Sequence, residues 1–431
     1  MTEEPPSLYA SPHGRTVGSV YAHAPFCARR CFYCDFAVQV RRSGDTDAWI
    51  RALSGELAAL AEEGLFELAS RLETLYVGGG TPSLLGAHAM ARLAGVVGRE
   101  RVSHDALEWT AEANPESFTD EVALGWRRAG VNRLSLGVQS FQEPVLRWMG
   151  RLHGPEGAEA AIARARRAGF ADVSVDLMFG LPEVLRRSWR ADLDRVLRLG
   201  VPHVSLYGLG IEPATPLGRA VAEGREPGVD EGRYRDEFLE AHERLTGAGL
   251  VHYEVSNFAL PGHASRHNLA YWTGRPYLGV GNSAHSYRHP VRRWNLRDWD
   301  AYEEVAREGR LPVAEREVLD AAATRLERVW LALRTDRGVD RSELSPRGLE
   351  LSVRWTEAGW ASSAAGRVRL TAEGWLLLDR LAVEMDTALE ERGQVDPASA
   401  AAGRTGSPPV VPGDTIRAAG GGTATRAPSV E

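Results

Sequence analysis

Cys27, Cys31 and Cys34 are the three cysteines of this 431-residue chain, and all fall in one eight-residue stretch, CARRCFYC. The spacing C-x3-C-x2-C supplies three thiolates, one fewer than a closed tetrahedral zinc site or a fully ligated iron–sulfur cube requires. On a four-iron cube three protein ligands leave one iron open to a small molecule, which separates a catalytic metal site from a structural one. Two other readings stay open at this point. Zinc could be held by the three cysteines with His23 or Asp35, or Cys31 and Cys34 could form a redox dithiol, although nothing around them resembles thioredoxin. Three neighbouring cysteines have no even pairing scheme, so they read as metal ligands in a reducing compartment and not as a disulfide framework.

A site of this kind needs a scaffold that delivers further side chains to the same place. From about residue 17 to residue 210, β-branched runs alternate with amphipathic Ala/Arg/Leu-rich stretches, the pattern of repeated βα units and a parallel sheet. Six strands are expected, at 17–23, 72–78, 107–113, 132–139, 172–178 and 203–209, with helices between them, for example around 47–62, 156–168 and 187–198. Each unusual motif follows a strand: the cysteine loop, then GGGTPS, AEANPE with Glu112, GVQSF, DLMFGLP and GLGIEP. In a βα barrel the carboxyl ends of the strands share one face, so the six motifs converge on one mouth.

The fold class expected is therefore α/β, a partial (β/α)6 barrel over 17–212 after a flexible amino terminus (1–16). An α+β extension (213–312) would cap the barrel, with a helix at about 231–248, a strand at 250–258 and an aromatic, histidine-rich stretch at 266–295. Residues 313–392 read as a small helical domain resembling a winged-helix module. The tail, 393–431, has few large apolar groups and reads as disordered.

Composition narrows the function. With 43% apolar and 25% charged residues the chain is globular, and its net charge of −7 gives no electrostatic footprint for nucleic acid. The amino terminus, MTEEPPSLYA, has no apolar signal-like core, and no apolar run approaches the ~18 residues of a membrane span. A cytoplasmic protein is expected. All 51 basic residues are arginine, which excludes lysine Schiff-base chemistry and a P-loop lysine. The arginine excess reads first as coding bias, although arginine also grips carboxylates bidentately.

In combination, CARRCFYC, VGGGTP, AEANPE, RLSLGVQSF, GRLH, VDLMFGLP and LYGLGIEP resemble the radical S-adenosylmethionine family. The resemblance runs from residue 18 to about 390. It is closest to the branch that contains oxygen-independent coproporphyrinogen III oxidase and its heme-chaperone relatives. It implies a [4Fe–4S] cluster on Cys27, Cys31 and Cys34, with S-adenosylmethionine chelating the fourth iron. It also implies that Tyr21, Gly79, Glu112 and the backbone of Tyr33 contact that S-adenosylmethionine, and that Gly80, Thr81, Gln139, Arg151 and Asp176 line the neighbouring ligand space. A flavodoxin- or ferredoxin-like electron donor is implied for any turnover.

Within that branch, the oxidase pattern carries a fourth cysteine two residues after the third, where this chain has Phe36. The segment before the cluster motif is also short for the oxidase's amino-terminal extension. Asp35–Phe36 and the run RHNLAYW (266–272) resemble instead the chaperones, which bind heme and hand it to apo-proteins. Ser265 departs from the cysteine that many relatives place before RHN. Imidazole is a common axial ligand, so His267, His285, His263 and His252 are candidates, with His267 first. Tyr271, Trp272, Tyr277 and Trp294 could offer flat apolar surface to a porphyrin or serve as core.

Overall fold

The computed structural model describes residues 16–390. The expectations for the amino terminus (1–16) and the tail (393–431) lie outside the described residues, apart from Thr16.

Six parallel strands pair in sequential order: β1 (Ser19–Ala24), β2 (Thr74–Gly79), β3 (Glu108–Ala113), β4 (Arg133–Gln139), β5 (Asp172–Phe179) and β6 (His203–Gly208). Among the helices that cross between them are α1 (Thr46–Glu63), α2 (Ala89–Val97), α3 (Asp120–Ala129), α4 (Pro155–Arg167) and α5 (Trp189–Leu199). The reason each starts and stops where it does is local. α1 is capped by the Asp45 carboxylate, which accepts from Ala48 N, and it ends at Gly64 in the left-handed region, φ 69°. α3 and α5 are capped in the same way by Thr119 and Ser188.

Successive strand residues face opposite ways, and the two faces of this sheet differ sharply. Val20, Ala22, Leu75, Val77, Trp109, Ala111, Leu134, Leu136, Val175 and Leu206 are buried in the main hydrophobic core. The alternate residues form the inner face, and they are polar or aromatic: Tyr21, Thr74, Tyr76, Thr110, Glu112, Ser135, Ser174, Asp176, His203, Ser205 and Tyr207. The core thus lies outside the strands and the chemistry inside.

Beyond residue 212 the structure departs from expectation in three places. The run 250–258 is two antiparallel strands, β7 (Val251–Glu254) and β8 (Asn257–Ala259), joined by a turn at Val255–Ser256. An unbroken β-prone run hid a two-residue reversal in which Asn257 bonds back to the Glu254 carboxylate. The aromatic stretch, secondly, joins the sheet. β9 (Tyr277–Val280) pairs parallel to β1, and β10 (His285–Arg288), β11 (Val291–Asn295) and β12 (Val313–Val318) continue outward as antiparallel ribbons. One twelve-stranded sheet results, in the order β7-β8-β6-β5-β4-β3-β2-β1-β9-β10-β11-β12. The boundary expected at 312/313 falls inside it, because β12 is its edge.

The third departure concerns the helices of the extension, α6 (Glu231–Gly247), α7 (Arg266–Trp272) and α8 (Trp299–Arg307). α7 does not cap the carboxyl ends of the strands. Its amino end is held by Glu108, the first residue of β3, which accepts from Arg266 N at 3.0 Å and His267 N at 2.9 Å. Just before it, His263 O accepts from Arg133, which opens β4, and the His263 ring pairs with Asp172, which opens β5. The segment 263–271 therefore closes the amino-terminal end of the parallel strands, opposite the cysteine loop. The carboxy-terminal region pairs α9 (Ala321–Leu333), α10 (Pro346–Glu357) and α11 (Leu378–Glu390) with a three-stranded sheet of β13 (Val339–Asp340), β14 (Ala361–Ala364) and β15 (Arg367–Leu370), so it is not purely helical.

Candidate cluster and cofactor site

The cysteine loop leaves β1 at the carboxyl-terminal mouth and is stitched to two other strand-end loops. Phe32 N donates to Met149 O (3.1 Å), after β4, and Leu217 N donates to Phe32 O (2.9 Å), after β6. Phe32 and Tyr33 pack on an apolar cluster of Val145, Met149, Met178, Leu181, Leu209 and Leu217. A turn closes between Cys31 O and Cys34 N at 3.2 Å. All three cysteines are unpaired and half-buried.

A chain of polar contacts joins the start of this loop to its middle. The Cys27 thiol lies 3.3 Å from Thr81 Oγ1, which accepts from Asn114 Nδ2 at 3.0 Å. Asn114 Oδ1 accepts from Arg151 at 2.6 Å, and the other Arg151 terminal nitrogen approaches the Cys31 thiol at 3.7 Å. Arg151 also donates to Gly137 O at 2.5 Å. Asn114 belongs in this chain of contacts although only Glu112 was singled out of AEANPE. Standing two residues on, it shares Glu112's face by strand alternation, which is the signal that could have found it.

The glycine loop is cut to fit its neighbours. Gly79 has φ 109°, and a Cβ there would lie 2.3 Å from the His23 ring. A Cβ on Gly78 would lie 2.7 Å from the Glu112 carboxylate, and one on Gly80 2.8 Å from Phe26 O. Real side chains cannot approach so closely, so only glycine lets this loop pack against His23, Glu112 and Phe26. Glu112 accepts from Tyr76 OH at 2.8 Å and Gly79 N at 3.0 Å, and Tyr21 stacks on Tyr76 at 6.0 Å between centroids. Asp176 accepts from Ser135 at 2.8 Å. Gln139, with φ 68°, ends β4 at a register shift, an uncommon left-handed backbone for a residue with a side chain. Tyr21, Gly79, Gly80, Thr81, Glu112, Arg151 and Asp176 thus lie around the mouth and the upper inner face.

Burial sets the electrostatics. It pushes the Glu112 carboxyl up to about 7, with Asp176 adding to the shift and the Tyr76 and Gly79 hydrogen bonds opposing it. It likewise pushes Asp176 up to about 6 against its serine partners and Arg151. For Arg151 burial would lower the pKa, but Tyr33, Cys31 and Glu116 together outweigh it and hold the guanidinium charged. The Cys27 thiol is pushed up to about 12 and Cys34 is raised, in both cases chiefly by burial. A raised thiol pKa leaves little free thiolate, and a metal cation is what returns such a group to thiolate.

Glu112 carries a testable sign. Between pH 4.5 and about 7 the folded state retains a proton that the unfolded state has released, so wild type loses stability as pH rises through that window. The difference in melting temperature between Glu112→Gln and wild type should shift in favour of the variant from pH 4.5 to pH 7.5 in the cofactor-free protein. A gap constant across that range would contradict the assignment.

The fourth ligands considered for zinc are engaged elsewhere. The buried His23 ring bonds Tyr21 OH at 3.1 Å and Ala37 O at 3.0 Å, and Asp35 pairs with Arg297 at 3.0 Å. Among the described residues no three His, Cys, Asp or Glu side chains converge as around a single ion. A cluster does not ask for that, because each thiolate takes a separate iron.

Three of the candidate heme ligands, His267, His263 and His252, lie toward the amino-terminal ends of the parallel strands, whereas His285 stands against Gly279, level with Tyr21. His267 is buried at the amino-terminal end of β2, its ring nitrogens 2.7 Å from Thr74 Oγ1 and 2.8 Å from Tyr271 OH. It stacks on Tyr76, and burial lowers its pKa to about 3. In this arrangement both ring nitrogens are engaged by hydroxyls. His252 is stacked on Phe258 and bonded to Val255 O, and His285 is stacked on Trp294. Tyr271 and Trp272 pack in α7, away from the cysteine loop.

Six sequential parallel strands carrying a three-cysteine loop and a glycine cradle define a radical S-adenosylmethionine protein. A family model of the Radical SAM superfamily matches residues 21–196. Over 381 residues the chain is 38% identical to "Heme chaperone HemW" of Mycobacterium tuberculosis, covering 87% of this chain and 96% of that one. The Bacillus subtilis heme chaperone HemW is 32% identical over 369 residues, 83% and 96% of the two chains. The chain belongs to the HemW heme chaperone family. The solved structure of Escherichia coli coproporphyrinogen III oxidase (HemN), a radical SAM enzyme, shares the fold with a TM-score of 0.71 at 24% identity, over 88% of this chain and 92% of that one.

Proposed function

We propose that this protein binds heme and transfers it to apo-proteins, with a [4Fe–4S] cluster on Cys27, Cys31 and Cys34 and S-adenosylmethionine at the open iron. The observation that carries the reading is likeness to heme chaperones over almost their whole length. Phe36 supports it, standing where the oxidase pattern has a further cysteine. The cluster fits the residues present: three unpaired thiols on one loop, with the Arg151 guanidinium beside Cys31 and the Thr81 hydroxyl beside Cys27.

When bound and reduced, such a cluster supplies one-electron cleavage of S-adenosylmethionine. The chain's own residues do the positioning. Gly79 and Gly80 let backbone reach the ligand, while Tyr21 and the Tyr33 backbone flank it. Glu112 and Asp176 offer acceptors to ribose hydroxyls or an ammonium group, and Arg151 offers its charge to a carboxylate. Thr81 and Gln139 complete the lining. A cation held against Glu112 favours its ionised form, so S-adenosylmethionine affinity should rise as pH passes through about 7.

No helix of the described residues is long and apolar enough to cross a membrane, and unpaired cysteines suit a reducing cytoplasm. The partners are heme, an apo-protein acceptor and, for any turnover, a flavodoxin- or ferredoxin-like donor. An anaerobic assay tests the reading. Reconstituted protein should bind heme and leave coproporphyrinogen III unchanged; its stoichiometric conversion to protoporphyrinogen IX would establish the oxidase instead.

A further inference from the structure

The cysteine loop is fixed at its start by Thr81 and in its middle by Met149 and Leu217. Its exit, Asp35 to Ala37, is held by residues far along the chain. Arg297, two residues past β11, donates to the backbone carbonyl of Asp35 and to its carboxylate, at 3.0 Å for Oδ1. Asn282, two residues past β9, donates from Nδ2 to Ala37 O at 3.3 Å and to Arg297 O at 3.0 Å. The two side chains therefore act as one clamp. Ala37 O also receives the His23 ring, the same ring that packs under Gly79. One carbonyl, three residues after Cys34, joins the extension, the cysteine loop and the glycine cradle.

Asn282 is built into this place. It is 1% exposed, and its Oδ1 has no hydrogen-bond partner, so the amide is held for what its nitrogen does. The flanking backbone is unusual: Gly281 has φ 101° and Ser283, which carries a side chain, φ 59°. A left-handed serine costs energy unless its surroundings over-determine it. They do so here through Gly281 N to Glu56 (2.8 Å) and Ser283 N to Leu296 O (2.9 Å). Nearby, Trp299 packs its edge on Phe26, the residue before Cys27, at 5.3 Å, and Gln39 donates to Asp300 at 3.1 Å.

We infer that Asn282 and Arg297 are positioning residues for the cluster loop: through them the extension holds Asp35–Ala37, and with it Cys34, in the conformation that grips iron. The inference rests on the cluster reading above and extends it beyond the parallel strands. Freed at Asp35, the third thiolate would wander from its iron, and a site with three protein ligands would be reduced to two for part of the time.

The test compares wild type, Asn282→Ala, Arg297→Met and Arg297→Lys after anaerobic reconstitution. Iron and sulfide content, the electron paramagnetic resonance of the reduced cluster, and the rate at which a chelator strips iron are read beside the melting temperature of the metal-free protein. Asn282→Ala and Arg297→Met should lose iron about tenfold faster, the scale of a lost outer partner of a metal ligand, and Arg297→Lys should be intermediate. The Arg297 side chain is 58% exposed, so its variants fold even if Asn282→Ala does not. A purely structural role would lower the metal-free melting temperature and leave the stripping rate and resonance alone. Equal stripping rates for the Arg297 variants and a cluster-bearing wild type would overturn the inference; a wild type that takes up no iron would instead overturn the cluster reading on which it stands.

Discussion

Serine in place of any one of Cys27, Cys31 or Cys34 should leave reconstituted protein with almost no iron, while the metal-free fold survives. Two thiolates cannot hold a four-iron cube against a chelator, because the open iron already lacks a protein ligand. The fold should survive because each cysteine is only half-buried and serine keeps the shape of the side chain. At position 27 a hydroxyl can still meet Thr81. The change in unfolding free energy should stay within about 1 kcal/mol. Wild type should show the broad visible absorbance of a cluster, absent from every variant. Colourless wild type containing zinc would replace the cluster reading with a structural metal, and a variant that kept its full iron would remove that cysteine from the ligand set.

The second large effect is on stability, and it comes from the residue that first looked like a heme ligand. His267→Ala should destabilise the protein by about 3 kcal/mol, because it opens a cavity and strands two buried hydroxyls. Those hydroxyls, on Thr74 and Tyr271, now face the two ring nitrogens, and the ring fills the space over Tyr76. Heme titration should give the same affinity and spectrum as wild type wherever the variant is folded. Chemical denaturation and titration together decide the matter. Undiminished stability with lost heme binding would restore His267 as a ligand.

His267 is an instance of what a sequence leaves out. Imidazole chemistry is visible in a sequence, but the partners that occupy it are not: Thr74 is 193 residues from His267. Periodicity reports which residues share a face. On that basis the six parallel strands and the motifs at their carboxyl ends were legible; the grouping of Tyr21, Glu112 and Asp176 came only with the family resemblance. It does not report where a face docks, so α7 was expected near the mouth and lies at the opposite end. The turn at Val255–Ser256 was hidden for a different reason, since no glycine or proline marks it. Asn114, Asn282 and Arg297 carry no motif of their own; their importance is in contacts with the cysteine loop and its neighbours.

The pairing of β9 with β1 also bears on the order in which the protein can be made. β1 leads into the cysteines, yet one of its edges stays bare until Tyr277–Val280 has emerged from the ribosome and docked there. The clamp on Asp35–Ala37 waits longer, for Asn282 and then Arg297. Until then the nascent chain carries its thiols beside an unfinished sheet, open to oxygen and to pairing with other chains. Iron is best delivered late, to a chain that has already closed on itself.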